Sequence, residues 1–349
     1  VFEPKAIRDQ MVFENFIMLK MFLSASALGQ FVFCLLSVVP QTRSKFENAE
    51  RAFVQCMSEK SILTSAVGAF ALGSGMTLSG ACPGMVLAQV GAWVPNGIFT
   101  LLGAILGTLT YGMLASYIVK FTRPKKPFTN HLVHDKLGVR YFYLAIPMAI
   151  FLTIIVIIIE IFWHWTKDIK NLHRDNSSDD NVATAVSWPP YACGMIIGLL
   201  QLPLVLVLCD TVGGSSGYVT VVSQWVVTDK LKEKFPYLAK RRLGVSNWWQ
   251  VFYVCGAIIG ALISAASSNS IAIAKGPQVH VALFGGFLML FGARFAAGCT
   301  SGHGLSGMGL LAWLSFLAVP AMFAGGIVTA FSMQATGSLD TYVTTTGYI

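Results

Sequence analysis

Residues 68–82 read GAFALGSGMTLSGAC, and residues 285–299 read GGFLMLFGARFAAGC. Glycine, phenylalanine, glycine and cysteine recur in these two stretches at one constant spacing, and each stretch is followed by a glycine-rich turn and another apolar segment. Self-similarity at a fixed spacing indicates a repeated structural unit. We therefore predict two tandem, pseudo-symmetric repeats that run in the same orientation, each with one cysteine in a glycine-rich turn.

The composition around these stretches is typical of a membrane protein. Of the 349 residues, 55% are apolar or aromatic and only 11% are charged, whereas soluble domains contain about 25% charged residues. Apolar segments of roughly 20 residues can cross a bilayer as helices. Six segments fit that description: 16–39, 95–121, 141–165, 188–208, 248–267 and 310–333. We predict an all-α, polytopic integral membrane protein, and we expect it in the plasma membrane.

Three further apolar stretches, 61–91, 212–227 and 279–309, are interrupted by glycines. Glycine in a membrane helix indicates a break or a close approach of two backbones. We interpret these stretches as too broken to cross the bilayer and expect them to form re-entrant loops. Non-helical backbone at membrane depth is tolerated only where protein or a watery cavity satisfies its polar groups. Opposed re-entrant loops would therefore form a pore or a substrate site.

Charge divides the chain into regions. The net charge is +8, and the basic residues cluster at 120–140 and 230–242, which the positive-inside rule places in the cytoplasm. We expect residues 1–121 to form a first transmembrane repeat that is incomplete at its N-terminal end. Residues 122–187 would supply a basic cytoplasmic loop, a linking transmembrane helix and a polar external loop. Residues 188–333 would form the second repeat, and residues 334–349 a C-terminal tail.

The cysteine turns carry the strongest chemical signal. In 79–84, SGACPG, a proline follows Cys82 at a position that suits the first residue of a new helix. Free N–H groups and the dipole at a helix start favour an anion. A lone membrane cysteine is more often a packing residue, but Cys82 and Cys299 occupy equivalent positions, so we predict that both thiols face one central path. The predicted neighbouring contacts to the substrate are Gly80, Gly84, Gly298, Thr300, Ser301 and Gly302.

Other polar residues near these turns leave alternatives open. His303 could donate to an anion or cap a turn, and Arg294 is an intramembrane charge and hence a functional candidate, unless it pairs with backbone carbonyls. Residues 213–217 formally match the GxSxG pattern of hydrolases, but no strand precedes them. We interpret them as a re-entrant turn in which Ser215 and Ser216 donate to the substrate. The remaining cysteines are assigned to packing: Cys34, Cys56, Cys193, Cys209 and Cys255.

At SGACPG, 79–84, and GCTSGHG, 298–304, the chain resembles the YeeE/YedE sulfur transport family, from residue 2 to about residue 333. The resemblance implies uptake of thiosulfate or a related small sulfur-containing anion. It further implies that Cys82 and Cys299 pass the anion on through S–H hydrogen bonds rather than by redox chemistry. Bacterial relatives carry another functional cysteine near the N-terminal turn, and residues 2–9 of this chain contain none.

Two other functions stay open on the sequence alone. An intramembrane sulfurtransferase would form a persulfide on Cys82 or Cys299, and a soft-metal permease would use cysteine, methionine and His303. The 13 methionines show no clustering that supports the permease, and the seven cysteines lack zinc-site spacing. We therefore predict a non-enzymatic transporter with no cofactor and no metal. The expected partners are the anion and the lipid bilayer, with no nucleic acid, and the oligomeric state is not predicted.

Overall fold

A computed structural model describes residues 2–57, 60–122, 132–172, 185, 187–228 and 230–344. In this part of the chain the secondary structure is helical, with no β-strand beyond two isolated bridges. The helices are α1 (Pro4–Met11), α2 (Ile17–Val38), α3 (Pro40–Met57), α4 (Ile62–Ser79), α5 (Met85–Gly91), α6 (Gly97–Thr122), α7 (Val133–Leu137), α8 (Tyr141–Phe162), α9 (Trp165–Asn171), α10 (Pro190–Leu199), α11 (Gln201–Pro203), α12 (Ser215–Val226), α13 (Pro236–Lys240), α14 (Val245–Ser267), α15 (Val279–Ala296) and α16 (Trp313–Ala335). Two π-helical segments, Leu204–Leu208 and Thr300–Gly307, complete the set.

Among the described residues, eight helices are long and apolar enough to cross a membrane. Six of them correspond to the predicted spans, namely α2, α6, α8, α14, α16 and the continuous segment Pro190–Leu208. Large apolar side chains are exposed along α8, with only about a fifth of its apolar window buried inside the protein. A helix with that surface requires lipid around it. The prediction of an all-α, multi-pass integral membrane protein is confirmed.

The other two candidate spans, α4 and α15, lie in the stretches 61–91 and 279–309, where re-entrant loops stay a prediction. Each is an uninterrupted helix of 18 residues. Their glycines mark contacts rather than breaks, because a Cβ on Gly75 would lie 2.3 Å from the Met289 backbone nitrogen. Glycine at such positions lets two membrane helices approach closely. In 212–227 the helix α12 has 12 residues, fewer than the roughly 20 needed to span.

The direction of α4 against α15 is a correction. The start of α4 meets the end of α15, where Gly68 approaches Ala296, and the end of α4 meets the start of α15, where Gly285 approaches Ser79. The two helices are therefore antiparallel. The prediction that the two halves share one orientation is wrong for this central pair.

Further contacts recur at nearly the spacing that relates the two halves, with the glycines one residue out of register. The Cβ position of Gly107 on α6 lies 2.3 Å from the Phe287 carbonyl oxygen, and that of Gly325 on α16 lies 2.1 Å from the Phe70 carbonyl oxygen. A duplicated structure requires such matched contacts. The repeat itself stays a prediction, and the antiparallel α4 and α15 imply that its two copies would be inverted relative to each other.

Helix α1 fixes the end of α4 where the first cysteine turn begins. The buried Arg8 guanidinium donates to the carbonyl oxygens of Thr77 at 3.1 Å and Leu78 at 2.7 Å. It also donates to the Leu339 carbonyl at 2.9 Å. These acceptors include carbonyls of the last turn of α4, which lack partners inside their own helix. The chain near both termini thus holds the turn that follows α4.

Candidate functional site

One cavity of about 560 Å³ brings the two predicted thiols together. Cys82 and Cys299 both line it, along with Gly84, Thr300 and Ser301. Apolar side chains from α2, α5, α10 and α14 form much of the remaining wall. Cys82 and Cys299 therefore border one shared space.

The first cysteine turn connects α4 to α5. Gly80 ends α4 in the left-handed region at φ 61°, and a Cβ there would lie 2.4 Å from Pro4. Helix α5 begins at Met85, so Pro83 lies two residues before the helix and is not its first residue as predicted. The backbone N–H groups of Gly84 and Met85 lie near the Cys82 thiol and favour its charged form. This half-buried sulfur therefore faces donors from the backbone.

Tyr218 on α12 holds that turn from outside. Its hydroxyl donates a 2.7 Å hydrogen bond to the Pro83 carbonyl oxygen, and its side chain is 4% exposed. The Pro83 carbonyl lies in a turn outside the helices, so this bond supplies the donor that a buried carbonyl needs. We infer that Tyr218 is a positioning residue for Cys82.

The second cysteine turn follows α15 and offers more side-chain donors. The chain leaves α15 through Ala297 in the left-handed region, at φ 71°, and continues through Cys299 into the π-helical segment. The Cys299 sulfur lies 3.2 Å from the Ser301 hydroxyl oxygen. The Ser215 hydroxyl and the Gly302 N–H also lie within reach of this thiol. Cys299 is only 2% exposed, so its surroundings are more polar and more enclosed than those of Cys82.

Arg294 lies behind the second turn. Its guanidinium donates from Nη2 to the Ser215 hydroxyl and from Nη1 to the Ser216 hydroxyl at 3.3 Å. Arg294 is 6% exposed, and in the described part of the chain no carboxylate lies within salt-bridge distance of it. The alternative of pairing with backbone carbonyls is not observed. Ser215 accepts from Arg294 and lies near the Cys299 thiol, so it stands between the positive charge and that thiol.

These three residues lie just outside the cavity wall. Ser215, Ser216 and Arg294 are not part of the lining, whereas the adjacent Gly214 is. Helix α12 begins at Ser215. The turn at 213–217 therefore contributes backbone to the cavity wall through Gly214, whereas the hydroxyls of Ser215 and Ser216 face Arg294.

His303 and Thr300 point away from the cavity interior. The His303 ring contacts the Ser315 hydroxyl at 3.1 Å through Nδ1 and the Ala296 carbonyl at 3.2 Å through Nε2. These contacts are those of a cap at the end of α15, and donation by His303 to an anion stays a prediction. The Thr300 hydroxyl donates to the Met76 sulfur at 3.3 Å, so it packs against α4 although its residue lines the cavity.

Of the predicted glycines, one lines the cavity and the others do not. Gly84 lines the cavity and has open space at its Cβ position, whereas Gly80, Gly298 and Gly302 are not part of the lining. A Cβ on Gly298 would lie 2.8 Å from the His303 ring. Gly80 and Gly298 therefore shape their turns and do not offer contact surface to a substrate.

Among the many lining residues outside the predicted set, two carry a thiol or a phenol. Cys193 on α10, which the sequence assigns to packing, and Tyr253 on α14 both line the same cavity as Cys82 and Cys299. Neither belongs to a motif, and a side chain's direction on a membrane helix depends on the packing of its neighbours. Of the other cysteines, Cys34 is buried while Cys56 and Cys255 are exposed.

Helix α9 forms part of the cavity wall. Its lining residues are Trp165 and Ile169. Asp168 fixes α9 by accepting from the Trp163 indole at 2.8 Å and from the Phe16 N–H at 3.2 Å. The buried Lys20 ammonium lies 3.6 Å from Asp168 and 2.8 Å from Glu160. Burial raises the pKa of Asp168, against the lowering effects of Trp163, the Phe16 N–H and Lys20.

The comparisons with known proteins agree with this geometry. The family model described as "Sulphur transport" matches residues 2–328. The chain belongs to the sulphur transport family. Membership confirms the resemblance found in the cysteine turns, and with eight candidate spans it makes the chain a multi-pass membrane transporter.

Several proteins similar to this chain are named as transporters. The chain is 23% identical to the thiosulfate transporter TsuA of Escherichia coli over 274 residues, which is 75% of this chain and 72% of that protein. It is also 23% identical to TsuA of Spirochaeta thermophila, over 90% of this chain and 87% of that protein. A probable transporter of Xylella fastidiosa is 28% identical over 42% of this chain and 94% of its own length. The names of these relatives describe transport and no enzymatic activity.

Proposed function

We propose that this chain carries thiosulfate across the plasma membrane, through the cavity lined by Cys82 and Cys299. The observation that carries the proposal is that both thiols line one cavity. Two relatives that cover most of the chain are named thiosulfate transporters. A related sulfur oxyanion of similar size and charge would meet the same groups.

The groups around the two thiols suit an anion. Backbone N–H groups of Gly84 and Met85 face Cys82, and the hydroxyls of Ser301 and Ser215 face Cys299. The Arg294 charge adds a favourable potential, since within the described chain no carboxylate neutralises it. In a site of low dielectric, a charge and oriented dipoles act more strongly than in water.

The thiols make the site bind an anion only weakly. An S–H group is a weak donor compared with N–H or O–H, and conduction requires binding that is firm enough for entry yet loose enough for release. Two thiols on one cavity wall therefore let an anion move from one turn to the other. The sequence of steps is contact at one thiol, transfer across the cavity and contact at the other, without a covalent bond.

Uptake of radiolabelled thiosulfate into proteoliposomes tests this function. We expect wild-type protein to accumulate label, and we expect Cys82→Ala and Cys299→Ala each to abolish uptake. Cys255→Ala is the matched control, because Cys255 is exposed on α14 and is not part of the cavity wall. Equal incorporation of the variants is checked by quantifying protein in the liposomes.

Two results would contradict the proposal. Wild-type flux from Cys82→Ala or Cys299→Ala would remove that thiol from the path. A mass spectrum of the working protein that shows a persulfide on Cys82 or Cys299, formed and consumed at the rate of turnover, would instead support a sulfurtransferase.

A further inference from the structure

The Tyr253 hydroxyl is an unused donor in the cavity wall. Tyr253 is half-buried and lines the cavity beside both cysteine turns, close enough for its phenol to interact electrostatically with Cys82 and Cys299. Within the described residues, this hydroxyl has no hydrogen-bond partner. Because the side chain is only half-buried and lines the cavity, this hydroxyl is available to an acceptor inside the cavity.

The position of Tyr253 is fixed by packing on both sides of α14. A Cβ on Gly91 of α5 would lie 2.3 Å from the Ile258 carbonyl, so α14 lies directly against the helix that follows Cys82. On the other side, Val254 contacts Gly217 of α12. The phenol is therefore held at a set place between the two turns.

A second chain of contacts orients the ring. Trp249, one turn before Tyr253, packs edge-on against it with ring centroids 6.3 Å apart. The Trp249 indole donates to the Asp210 carboxylate at 3.0 Å, and the same carboxylate accepts from the Thr211 N–H at 2.8 Å. Three groups thus connect the loop before α12 to the Tyr253 ring.

Three other hydroxyls in the wall, those of Thr300, Ser301 and Ser264, are already engaged or distant. The Thr300 hydroxyl donates to methionine sulfurs, and the Ser301 hydroxyl contacts the Cys299 sulfur. Ser264 lies three turns further along α14, about 16 Å from Tyr253 at the helical rise. Tyr253 is therefore the hydroxyl best placed to reach an anion held between the two thiols.

We propose that Tyr253 is a substrate-contacting residue that donates its O–H to an oxygen of the bound sulfur oxyanion and thereby sets the affinity for oxygen-bearing anions. The inference rests on the proposed thiosulfate transport. A thiol is a poor donor to a charged oxygen, whereas a phenol is a good one. The two kinds of group therefore have different roles: the thiols let the anion move, and the phenol recognises its oxygen atoms.

Kinetics of thiosulfate uptake in proteoliposomes test the role of Tyr253. A hydrogen bond to a charged group contributes about 1.5–3 kcal/mol, which corresponds to a loss of affinity of roughly tenfold or more. We expect Tyr253→Phe to raise the KM for thiosulfate by at least about tenfold while Vmax stays within about twofold of wild type. The matched control is Tyr117→Phe, which removes a hydroxyl from an exposed tyrosine on α6, and it should leave both parameters unchanged.

Binding of labelled thiosulfate to purified protein in detergent gives a second measurement, and a weaker affinity of the same size is expected for Tyr253→Phe. Tyr253→His, which keeps an N–H donor, should recover part of the loss. An unchanged KM, or a fall in Vmax alone, would overturn the inference while wild-type uptake preserved the proposed function. Absence of uptake by wild-type protein would overturn the proposed function and this inference with it.

Discussion

The turn around Cys82 and the turn around Cys299 follow two closely packed helices, α4 and α15, but they offer different donors to the cavity. Cys82 is half-buried and faces backbone N–H groups, and Tyr218 holds its turn through the Pro83 carbonyl. Cys299 is almost fully buried, faces two serine hydroxyls and lies in front of Arg294. The first turn is accessible and uncharged, whereas the second is enclosed and linked to a positive charge.

This difference indicates that two turns of similar sequence can bind an anion with different affinities. An accessible site without a charge suits first contact and release, because binding there is weak. An enclosed site near a guanidinium holds an anion more firmly, since both the lower dielectric and the charge strengthen the interaction. We therefore expect the Cys299 turn to contribute more to affinity and the Cys82 turn more to exchange with the surroundings.

Removing the charge behind the second turn should have the largest effect on this comparison. We expect Arg294→Gln to weaken apparent thiosulfate affinity by about tenfold to a hundredfold, the size of a hydrogen-bonded charge contribution of about 1.5–3 kcal/mol. Uptake kinetics in proteoliposomes measure it. Arg294→Lys should retain part of the affinity, and Arg43→Gln, which changes an exposed arginine on α3, should retain all of it. Wild-type affinity in Arg294→Gln would show that the two turns do not differ by charge.

Loosening the first turn should have an intermediate effect. Tyr218→Phe keeps the ring but leaves the buried Pro83 carbonyl without its donor, which costs about 1–3 kcal/mol. We expect a lower thermal unfolding temperature of the purified protein and faster alkylation of Cys82, with the alkylation rate of Cys299 unchanged. Equal changes at both cysteines would contradict the assignment of Tyr218 to the Cys82 turn. Tyr117→Phe again serves as the control.

The smallest effect is expected from one hydroxyl of the second turn. Ser301→Ala removes the oxygen that lies 3.2 Å from the Cys299 sulfur, a neutral contact that contributes about 0.5–1.5 kcal/mol. We expect a rise of about twofold to tenfold in the KM for thiosulfate, with Vmax nearly unchanged. Uptake at several thiosulfate concentrations measures it. A complete loss of transport with normal incorporation would mean that Ser301 does more than adjust the thiol.

Most of the spans could be predicted because a long apolar segment has few other uses. The errors arose where one residue type serves two purposes. Glycines at 68, 75, 285 and 292 look like helix breaks in the sequence, yet they are contact positions between α4 and α15. Whether a membrane glycine breaks a helix or admits a neighbouring one depends on the partner backbone, which a single sequence does not reveal. The relative direction of α4 and α15 also depends on which backbones pack together, so the sequence does not predict it.

The candidate site shows the same limit. Cys82 and Cys299 could be found because their turns are similar in sequence, and both line the cavity. His303 was ambiguous because a histidine between glycines has the same pattern whether it binds or caps. Tyr253 and Cys193 lie within ordinary apolar helices, and only the packing of α14 and α10 directs them toward the cavity.

The most direct test of the central claim is protection of both thiols by the anion. A variant that retains Cys82 and Cys299, with the other five cysteines replaced by alanine, is treated with a small thiol reagent, and each site is followed by mass spectrometry. We predict that thiosulfate slows modification of both cysteines, while chloride at equal ionic strength protects neither. Protection of one cysteine alone, or of neither, would contradict an anion site shared by the two turns.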